Sequence, residues 1–175
     1  MKKLLLLLVL LSVSLSGFSQ DIKYGIRGGY NISNLDFEET PTVVNKHRNS
    51  MYIGFFANIG LSKIVAVAPE IQFSAEGAKE ETLHLDYIQA PILLKFRLSE
   101  KIHIGAGPQV GLKVHKVDDG VKNFAYSAVG GVEYKITHTI FADARYTYGV
   151  SNIFDESLGV SARNTNIQIG IGYKF

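Results

Sequence analysis

Several residue types are absent or scarce in this 175-residue chain, which has no cysteine, no tryptophan, two methionines and four prolines. The absence of cysteine excludes a disulfide framework, a thiolate metal site and a lipid anchor attached through cysteine. Long apolar runs are also absent after residue 20, so the remainder of the chain contains no candidate for a membrane-spanning helix. The length is that of a single domain.

The first 19 residues have the composition of a secretory signal peptide. Lys2 and Lys3 form a positively charged start, an apolar run covers residues 4–15, and Gly17 and Ser19 supply the small residues of a cleavage site. The apolar run is shorter than the roughly 20 residues that a spanning helix needs, which disfavours a membrane anchor. We therefore predict a signal peptide over residues 1–19 and one mature domain over residues 20–175.

The mature domain is nearly neutral. Loss of Lys2 and Lys3 lowers the number of basic residues from 18 to 16, which equals the 16 acidic residues. Nucleic-acid-binding proteins need a net basic surface. The composition therefore argues against nucleic acid as a partner.

The mature sequence alternates between apolar and polar residues in eight segments, and none has a helical period. Alternation with a period of two is typical of a strand with two unlike faces. The predicted strands cover residues 22–33, 50–61, 64–76, 83–98, 101–115, 123–136, 139–150 and 164–175. The connections are alternately long and short, with two-residue turns at 62–63, 99–100 and 137–138. This pattern predicts an all-β fold, an eight-stranded antiparallel up-and-down transmembrane β-barrel with its short turns in the periplasm.

The alternation alone leaves open which face lines the interior, because a soluble lipocalin-like barrel would enclose a ligand with its apolar face. Glycine favours the inverted arrangement, since only Gly28 and Gly130 of the strand glycines lie on the apolar face. Glycine weakens strands, whereas a narrow eight-stranded lumen has little room for side chains. The aromatic residues of the apolar face fall in two bands near the strand ends, like interfacial girdles. The sequence therefore predicts a polar interior and an apolar surface that meets outer-membrane lipid.

The last strand and several internal segments resemble known bacterial proteins. Ile171, Tyr173 and Phe175 share one face of residues 164–175, which resembles the C-terminal strand of outer-membrane barrels. In that family this strand is the insertion signal read by the barrel-assembly machinery. The segments DYIQAPILLKF (86–96), GAGP (105–108) and DARYTYG (143–149), with Pro69-Glu70, resemble the PorT-like outer-membrane β-barrel family of Bacteroidetes-type Gram-negative bacteria. The resemblance implies an outer-membrane location and a possible partner protein in secretion or envelope assembly.

The inward-facing charges predict a network inside the barrel. Its members are Glu70, Lys95, Arg97, Glu133, Lys135, Asp143 and Arg145. Because acids and bases lie on neighbouring strands, their pairing would offset the cost of burial. Two functions remain open for such a lumen, a narrow ion or solute channel and a salt-bridged plug. We favour the plug because eight strands leave no aqueous bore.

Catalytic and metal chemistry have little support in the sequence. A barrel-embedded lipid-modifying enzyme would need a serine beside a histidine on the lipid face, and His84 has no such neighbour. Asp118-Asp119-Gly120 lacks the spaced carboxylates of a cation site and is typical of a turn. We therefore predict no enzymatic activity, no cofactor and no metal. The expected role is that of a structural or loop-mediated binding protein, with recognition in residues 34–49 and 151–163.

Overall fold

The computed structural model describes residues 22–37, 46–114, 120–154 and 161–175, and these form one closed β-barrel. Each antiparallel strand pairs with the next along the chain, and the last pairs with the first. The strands are β1 (Ile22–Phe37), β2 (Arg48–Gly60), β3 (Val65–Gly77), β4 (His84–Arg97), β5 (Ile102–Lys113), β6 (Phe124–Lys135), β7 (Ile140–Gly149) and β8 (Ala162–Lys174). A 3-10 turn, Glu81–Leu83, precedes β4. Within the described residues, no helix is long and apolar enough to cross a membrane.

The predicted eight-stranded antiparallel fold is confirmed, and each strand lies where the alternation places it. The largest difference is in β1, which continues past Ser33 to Phe37. The alternation weakens there, but β1 still pairs with β8 through Asp36↔Arg163 and Phe37↔Ala162. Backbone pairing therefore extends this part of the wall beyond the stretch that the side-chain pattern indicates.

The two faces of the strands point as predicted, with the polar face inside. Phe55 of β2 is 61 % exposed, whereas the next residue, Phe56, is 5 % exposed. The same alternation of buried and exposed residues recurs along the other strands. Exposed aliphatic and aromatic side chains therefore cover the outer wall, which suits a surface bathed in lipid. The soluble lipocalin-like alternative is wrong, because it requires the apolar face inside.

The inner face is rich in glycine for a steric reason. A Cβ atom at Gly25 would overlap the ring of Phe56, and one at Gly172 would overlap the ring of Phe141. These two rings contact each other edge to face inside the barrel, with centroids 5.7 Å apart. On the outer face, by contrast, a Cβ atom at Gly130 would meet no atom closer than 3.8 Å. The inner glycines thus leave the space that large inward-pointing side chains occupy.

Three turns at one end of the barrel share one hydrogen-bonding pattern. In each turn a hydroxyl oxygen, of Ser62, Ser99 or Thr137, accepts bonds of 2.9–3.3 Å from two backbone N–H groups further along the chain. The turns comprise residues 61–64, 98–101 and 136–139, so they are longer than the two-residue turns predicted. In these turns a side-chain hydroxyl, in place of a backbone carbonyl, is the hydrogen-bond acceptor for the backbone N–H groups. We call this the short-turn end and the opposite one the long-loop end.

An apolar cluster closes the interior at the long-loop end. Its buried members are Leu35, Ala78, Leu85, Tyr87, Val121, Ile153 and Ala162. Two isolated bridges, His47↔Ala78 and Val121↔Phe154, pair loop segments with one another there. The predicted signal peptide, residues 1–19, lies outside the described residues. So do residue 115 of the fifth predicted strand and residues 38–45, 116–119 and 155–160 of the predicted loops.

Candidate functional site

The inner wall of the barrel carries layers of buried polar and charged side chains. These layers centre on Glu76, Arg27, Arg145 and Glu133, each at most 7 % exposed. They lie between the apolar cluster of the long-loop end and the short turns. Because buried polar groups must be satisfied by neighbours, the partners of these four side chains define what the lumen can do.

Arg145 and Glu70 form a two-pronged ion pair across the lumen, from β7 to β3. Arg145 Nη1 donates to Glu70 Oε2 at 2.6 Å, and Nη2 donates to Oε1 at 2.8 Å. Arg145 Nε lies 3.0 Å from Asp143 Oδ2, and Arg27 Nη1 lies 3.7 Å from Glu70 Oε2. The planar guanidinium fork matches the carboxylate, which favours this geometry. We call Arg27, Glu70, Asp143 and Arg145 the central quartet, whose two positive and two negative charges cancel.

Arg27 is the most extensively bonded member of the quartet. Its Nη2 donates to Asp143 Oδ2 at 2.6 Å and to the Tyr52 hydroxyl at 2.9 Å. Its Nη1 donates to Gln72 Oε1 at 2.9 Å and to Gln168 Oε1 at 3.2 Å. The guanidinium carbon also lies 4.4 Å from the centroid of the Tyr52 ring, a cation–π contact. One arginine therefore joins β1, β2, β3, β7 and β8.

Arg27 does not belong to the predicted network, although the alternation places it on the inner face. Its acidic partner, Asp143, belongs to β7, whereas β1 pairs with β2 and β8. A search for opposite charges on neighbouring strands therefore misses this pair. The sequence does place Arg27 on a glycine-rich inner face. Because a buried guanidinium needs an acidic partner, this position alone indicates an acid elsewhere in the lumen.

A second ionic cluster lies nearer the short-turn end. Lys95 Nζ donates to Glu133 Oε2 at 2.6 Å, and Lys174 Nζ donates to Oε1 of the same carboxylate. Both ammonium groups also face the ring of Phe141, at 6.0 Å for Lys95 and 4.5 Å for Lys174. Two cations therefore share one carboxylate, which leaves a local excess of positive charge.

Two residues of the predicted network lie apart from it. Arg97 is exposed, and its Nε donates to the backbone oxygen of Ser99 at 3.3 Å. Lys135 is only half-buried and forms no ion pair within the described part of the chain. Both lie at strand ends, where long side chains reach water. Between β6 and β7 the register sets Glu133 opposite Asp143, so each acid has a base at a diagonal position, as expected. The cations that bind Glu133, however, are Lys95 of β4 and Lys174 of β8.

Glu76 is held by neutral donors. Its Oε1 accepts hydrogen bonds from Ser74 Oγ at 2.7 Å, Gln89 Nε2 at 2.8 Å and Asn166 Nδ2 at 2.9 Å. Its Oε2 accepts a bond from Asn164 Nδ2. Four donors from three strands therefore replace the water that this carboxylate would bind if it were exposed. The alternation along residues 64–76 also predicts that Glu76 points inward, but it does not indicate which side chains bind it.

Within the described residues, the cavity between the central quartet and the Lys95–Glu133 pair is small. This cavity of about 10 Å³ beside Lys95, Glu133, Asp143 and Arg145 has room for roughly one water molecule. A larger cavity of about 300 Å³ lies at the short-turn end, beyond the Lys95–Glu133 pair. The arrangement thus suits a plug with one recessed end.

The predicted insertion-signal residues lie on the outer wall. Ile171, Tyr173 and Phe175 are all exposed, Phe175 at 67 %. The Phe175 N–H donates to the backbone oxygen of Tyr24 at 3.0 Å, so the chain still follows β1 at this point. The rings of Tyr173 and Phe175 lie 6.3 Å apart and form an aromatic surface beside the short turns.

The sequence offers His84 as a candidate for catalysis and Asp118-Asp119-Gly120 as a candidate for cation binding. His84 Nε2 lies 3.3 Å from the backbone oxygen of Lys79, and no hydroxyl of the described residues bonds it. Asp118 and Asp119 lie outside the described residues, whereas Gly120 has a φ of 78°, as in a turn. Across the described ranges, no group of three or more His, Asp or Glu side chains could hold a metal ion.

Comparison with known proteins agrees with this architecture. A family model described as outer membrane protein beta-barrel domain matches residues 5–175. The attachment invasion locus protein Ail of Yersinia pestis is 15 % identical, with a TM-score of 0.56 over 87 % of this chain and 98 % of that chain. Neisserial surface protein A is 14 % identical, with a TM-score of 0.59 over 87 % of this chain and 97 % of that chain. These likenesses concern the fold alone, and no curated protein matches the chain.

Proposed function

Because the chain belongs to the outer membrane protein beta-barrel domain family, we propose that it is a plugged, non-conducting barrel that serves as a structural or binding protein. Its location is the outer membrane. The observation that carries the proposal is the central quartet, in which Arg145–Glu70 and Arg27–Asp143 pairs cross the lumen with contacts of 2.6 Å.

The quartet is a barrier because an ion would have to separate these pairs in order to pass. Breaking a buried pair leaves an uncompensated charge, at a cost of about 3–5 kcal/mol. The apolar cluster around Leu85 and Tyr87 would have to open as well. A gated channel is therefore the second candidate, and it requires two separate rearrangements.

Planar-bilayer recording tests the plug. We expect no stable conductance from the purified wild-type barrel. The double variant Arg27→Ser/Asp143→Ser removes one cation and one acid together but leaves the Arg145–Glu70 pair and the apolar cluster in place, so it should also fail to conduct. Reproducible conductance steps from the wild type would favour the channel instead.

Recognition, in this proposal, belongs to the long-loop end. Loops on a rigid scaffold usually carry binding, and here the wall beneath them is fixed by contacts such as Arg48 Nη1 to Asp86 Oδ1 at 2.9 Å. The partner would be an envelope or secretion-system protein. Replacing residues 38–45 and 155–160 with short Gly-Ser linkers should leave insertion intact but remove crosslinks to that neighbour in intact outer membranes. Unchanged crosslinks would place the contact on the barrel wall or the short turns.

The narrower assignment to the PorT-like barrels belongs to the same proposal. It rests on the segments 86–96, 105–108 and 143–149, which lie in β4, β5 and β7. It predicts that the crosslinked neighbour belongs to a secretion or envelope-assembly system. An unrelated neighbour captured through the same loops would remove this assignment and leave the binding role.

A non-enzymatic role is also proposed. It is supported by the position of His84, which contacts a backbone carbonyl, and by the central quartet, whose charges neutralise one another. The purified barrel should release no product from phospholipid or lipopolysaccharide vesicles in mass spectrometry. Product formation that depends on His84 would contradict the proposal.

We also propose that the assembly machinery reads Ile171, Tyr173 and Phe175. Phe175→Asp should lower the folded yield in cells, while the purified variant refolds in detergent much as the wild type does. Phe96→Asp is the control, because Phe96 is an outward aromatic near the same end but lies in β4. A Phe175→Asp variant that assembles normally in cells would exclude this signal.

A further inference from the structure

The cavity at the short-turn end is lined mainly by cations. It has a volume of about 300 Å³. The basic side chains that line it are Lys23, Lys63, Lys95, Arg97 and Lys174. Glu133 is the one carboxylate among the described residues that line it. Even without Lys23, four basic side chains share this space with a single carboxylate.

Glu133 is already fully engaged. One of its oxygens accepts the bond from Lys95 at 2.6 Å, and the other accepts the bond from Lys174. Nothing remains of this carboxylate to neutralise Lys63 or Arg97, both of which are exposed at the rim. The repulsion among these cations creates a positive potential that a bound anion would relieve.

Neutral donors complete the lining. His103 Nδ1 is buried and has no hydrogen-bond partner within the described residues. An imidazole nitrogen that carries its proton there can donate to a ligand oxygen. Asn58 and Ser62 add an amide and a hydroxyl. The cavity thus has charged donors on several sides and an unused donor position in its wall.

From this geometry we propose that the short-turn cavity binds a small polyvalent oxyanion of the phosphate class. Lysine and arginine side chains bind phosphate oxygens, and the excess of Lys63, Lys95, Arg97 and Lys174 over the one carboxylate favours an anion with more than one negative charge. A volume of about 300 Å³ lies at the lower end of the range of small-molecule sites, about 300–1,000 Å³. The ligand enters from the short-turn side, because the ionic layers fill the barrel above it.

Titration calorimetry on the full barrel in a maltoside detergent, which carries no phosphate, tests the site with pyrophosphate and inorganic phosphate as probes. Pyrophosphate should bind more tightly than phosphate, and both should weaken with salt. Lys63→Gln/Arg97→Gln should weaken pyrophosphate binding about tenfold, equivalent to about 1.4 kcal/mol. Both residues are exposed, so the variant should still fold, which circular dichroism can verify.

The matched control is Lys101→Gln/Lys135→Gln. It removes the same charge from the same end of the barrel, but neither residue lines the cavity. Its pyrophosphate affinity should stay close to that of the wild type. Equal weakening in both double variants would mean that general surface charge attracts the ion, and no measurable pyrophosphate binding would mean that the cavity is not a site. Either result overturns the proposal.

Lipid nanodiscs distinguish the two sources of the phosphate group. If phosphatidylglycerol added to phosphatidylcholine discs competes with pyrophosphate, and Lys63→Gln/Arg97→Gln removes the competition, the occupant is a lipid headgroup. If pyrophosphate affinity is the same in both discs, the occupant is a free ion. Failure to bind in either disc contradicts the site without affecting the plugged-barrel proposal, which conductance tests separately.

Discussion

At the scale of single residues, the lumen consists of large side chains placed against glycines. The Tyr52 hydroxyl lies where a Cβ atom of Gly170 would be, and the Phe141 ring lies where one of Gly172 would be. Arg145 depends on the same relation, because its Cγ lies 2.7 Å from the position of a Cβ atom at Gly131. Each of these large side chains in the lumen therefore requires a glycine, without a side chain, on another strand.

Gly172→Ala should destabilise the barrel by about 1–3 kcal/mol, because the added methyl group overpacks the interior against the Phe141 ring. Gly130→Ala adds the same methyl group on the open outer face and serves as the control. Urea unfolding of both variants in lipid vesicles measures the difference. Equal stability of the two variants would mean that the inner glycines do not provide space for the aromatic side chains.

Arg145→Ala should destabilise the barrel by about 3–5 kcal/mol, because it leaves Glu70 and Asp143 buried with one cation fewer. Glu70→Ala should also destabilise it, by removing the partner of the guanidinium fork. The double variant should cost less than the two single losses added together, since removing a pair leaves no orphaned charge. Additive losses in this cycle would show that the two side chains do not interact.

At the scale of the strands, the sequence predicts the wall well and the interior contacts only in part. A strand's period of two is local, so the eight segments and the face of Glu70 or Arg145 can be read directly. Contacts between strands that are not neighbours cannot be read this way, which is why Arg27–Asp143 was missed. At a strand end, a long side chain can extend into water even when its position faces the interior. Arg97 does so, and it is therefore exposed.

Prolines interrupt the hydrogen-bond ladder at three successive junctions of the wall. The pairings of β2 with β3, β3 with β4 and β4 with β5 each skip two positions, next to Pro69, Pro91 and Pro108 respectively. Proline has no N–H to donate. The junctions from β2 to β5 are therefore expected to be less firmly held than those from β6 to β1, where the pairings run without a gap.

Pro108→Ala should restore one donor between β5 and β4. The new amide at position 108 should exchange its proton slowly with solvent, and so should the amide of Val110, two residues further along β5. Hydrogen exchange followed by NMR in micelles measures both. An amide at 108 that exchanges as fast as that of Lys101 in the turn would show that the gap has a cause other than the missing N–H.

At the scale of the whole molecule, the two ends of the barrel differ. The long-loop end is closed by the apolar cluster that includes Leu35 and Ile153, whereas the short-turn end opens into the basic cavity. The middle is held by the central quartet and enclosed by an apolar outer wall. This asymmetry predicts one orientation in the membrane, with the long loops outside the cell.

Cysteine labelling tests the orientation, since the chain has no cysteine of its own. Asn152→Cys, in the long-loop region, should react with a membrane-impermeant maleimide on whole cells. Ser99→Cys, in a short turn, should react only after the outer membrane is opened. The reverse pattern would invert the assignment of the two ends.

The central claim is that the apolar face of this barrel meets lipid while its charged face is inside, and a single introduced tryptophan tests it most directly. The chain has no tryptophan, so Phe55→Trp on the exposed middle of β2 would supply the whole tryptophan signal. In vesicles of lipid brominated on the acyl chains, its fluorescence should be strongly quenched, whereas that of Glu100→Trp in a short turn should be nearly unaffected. A Phe55→Trp signal that brominated lipid leaves unchanged in the folded barrel would contradict the account.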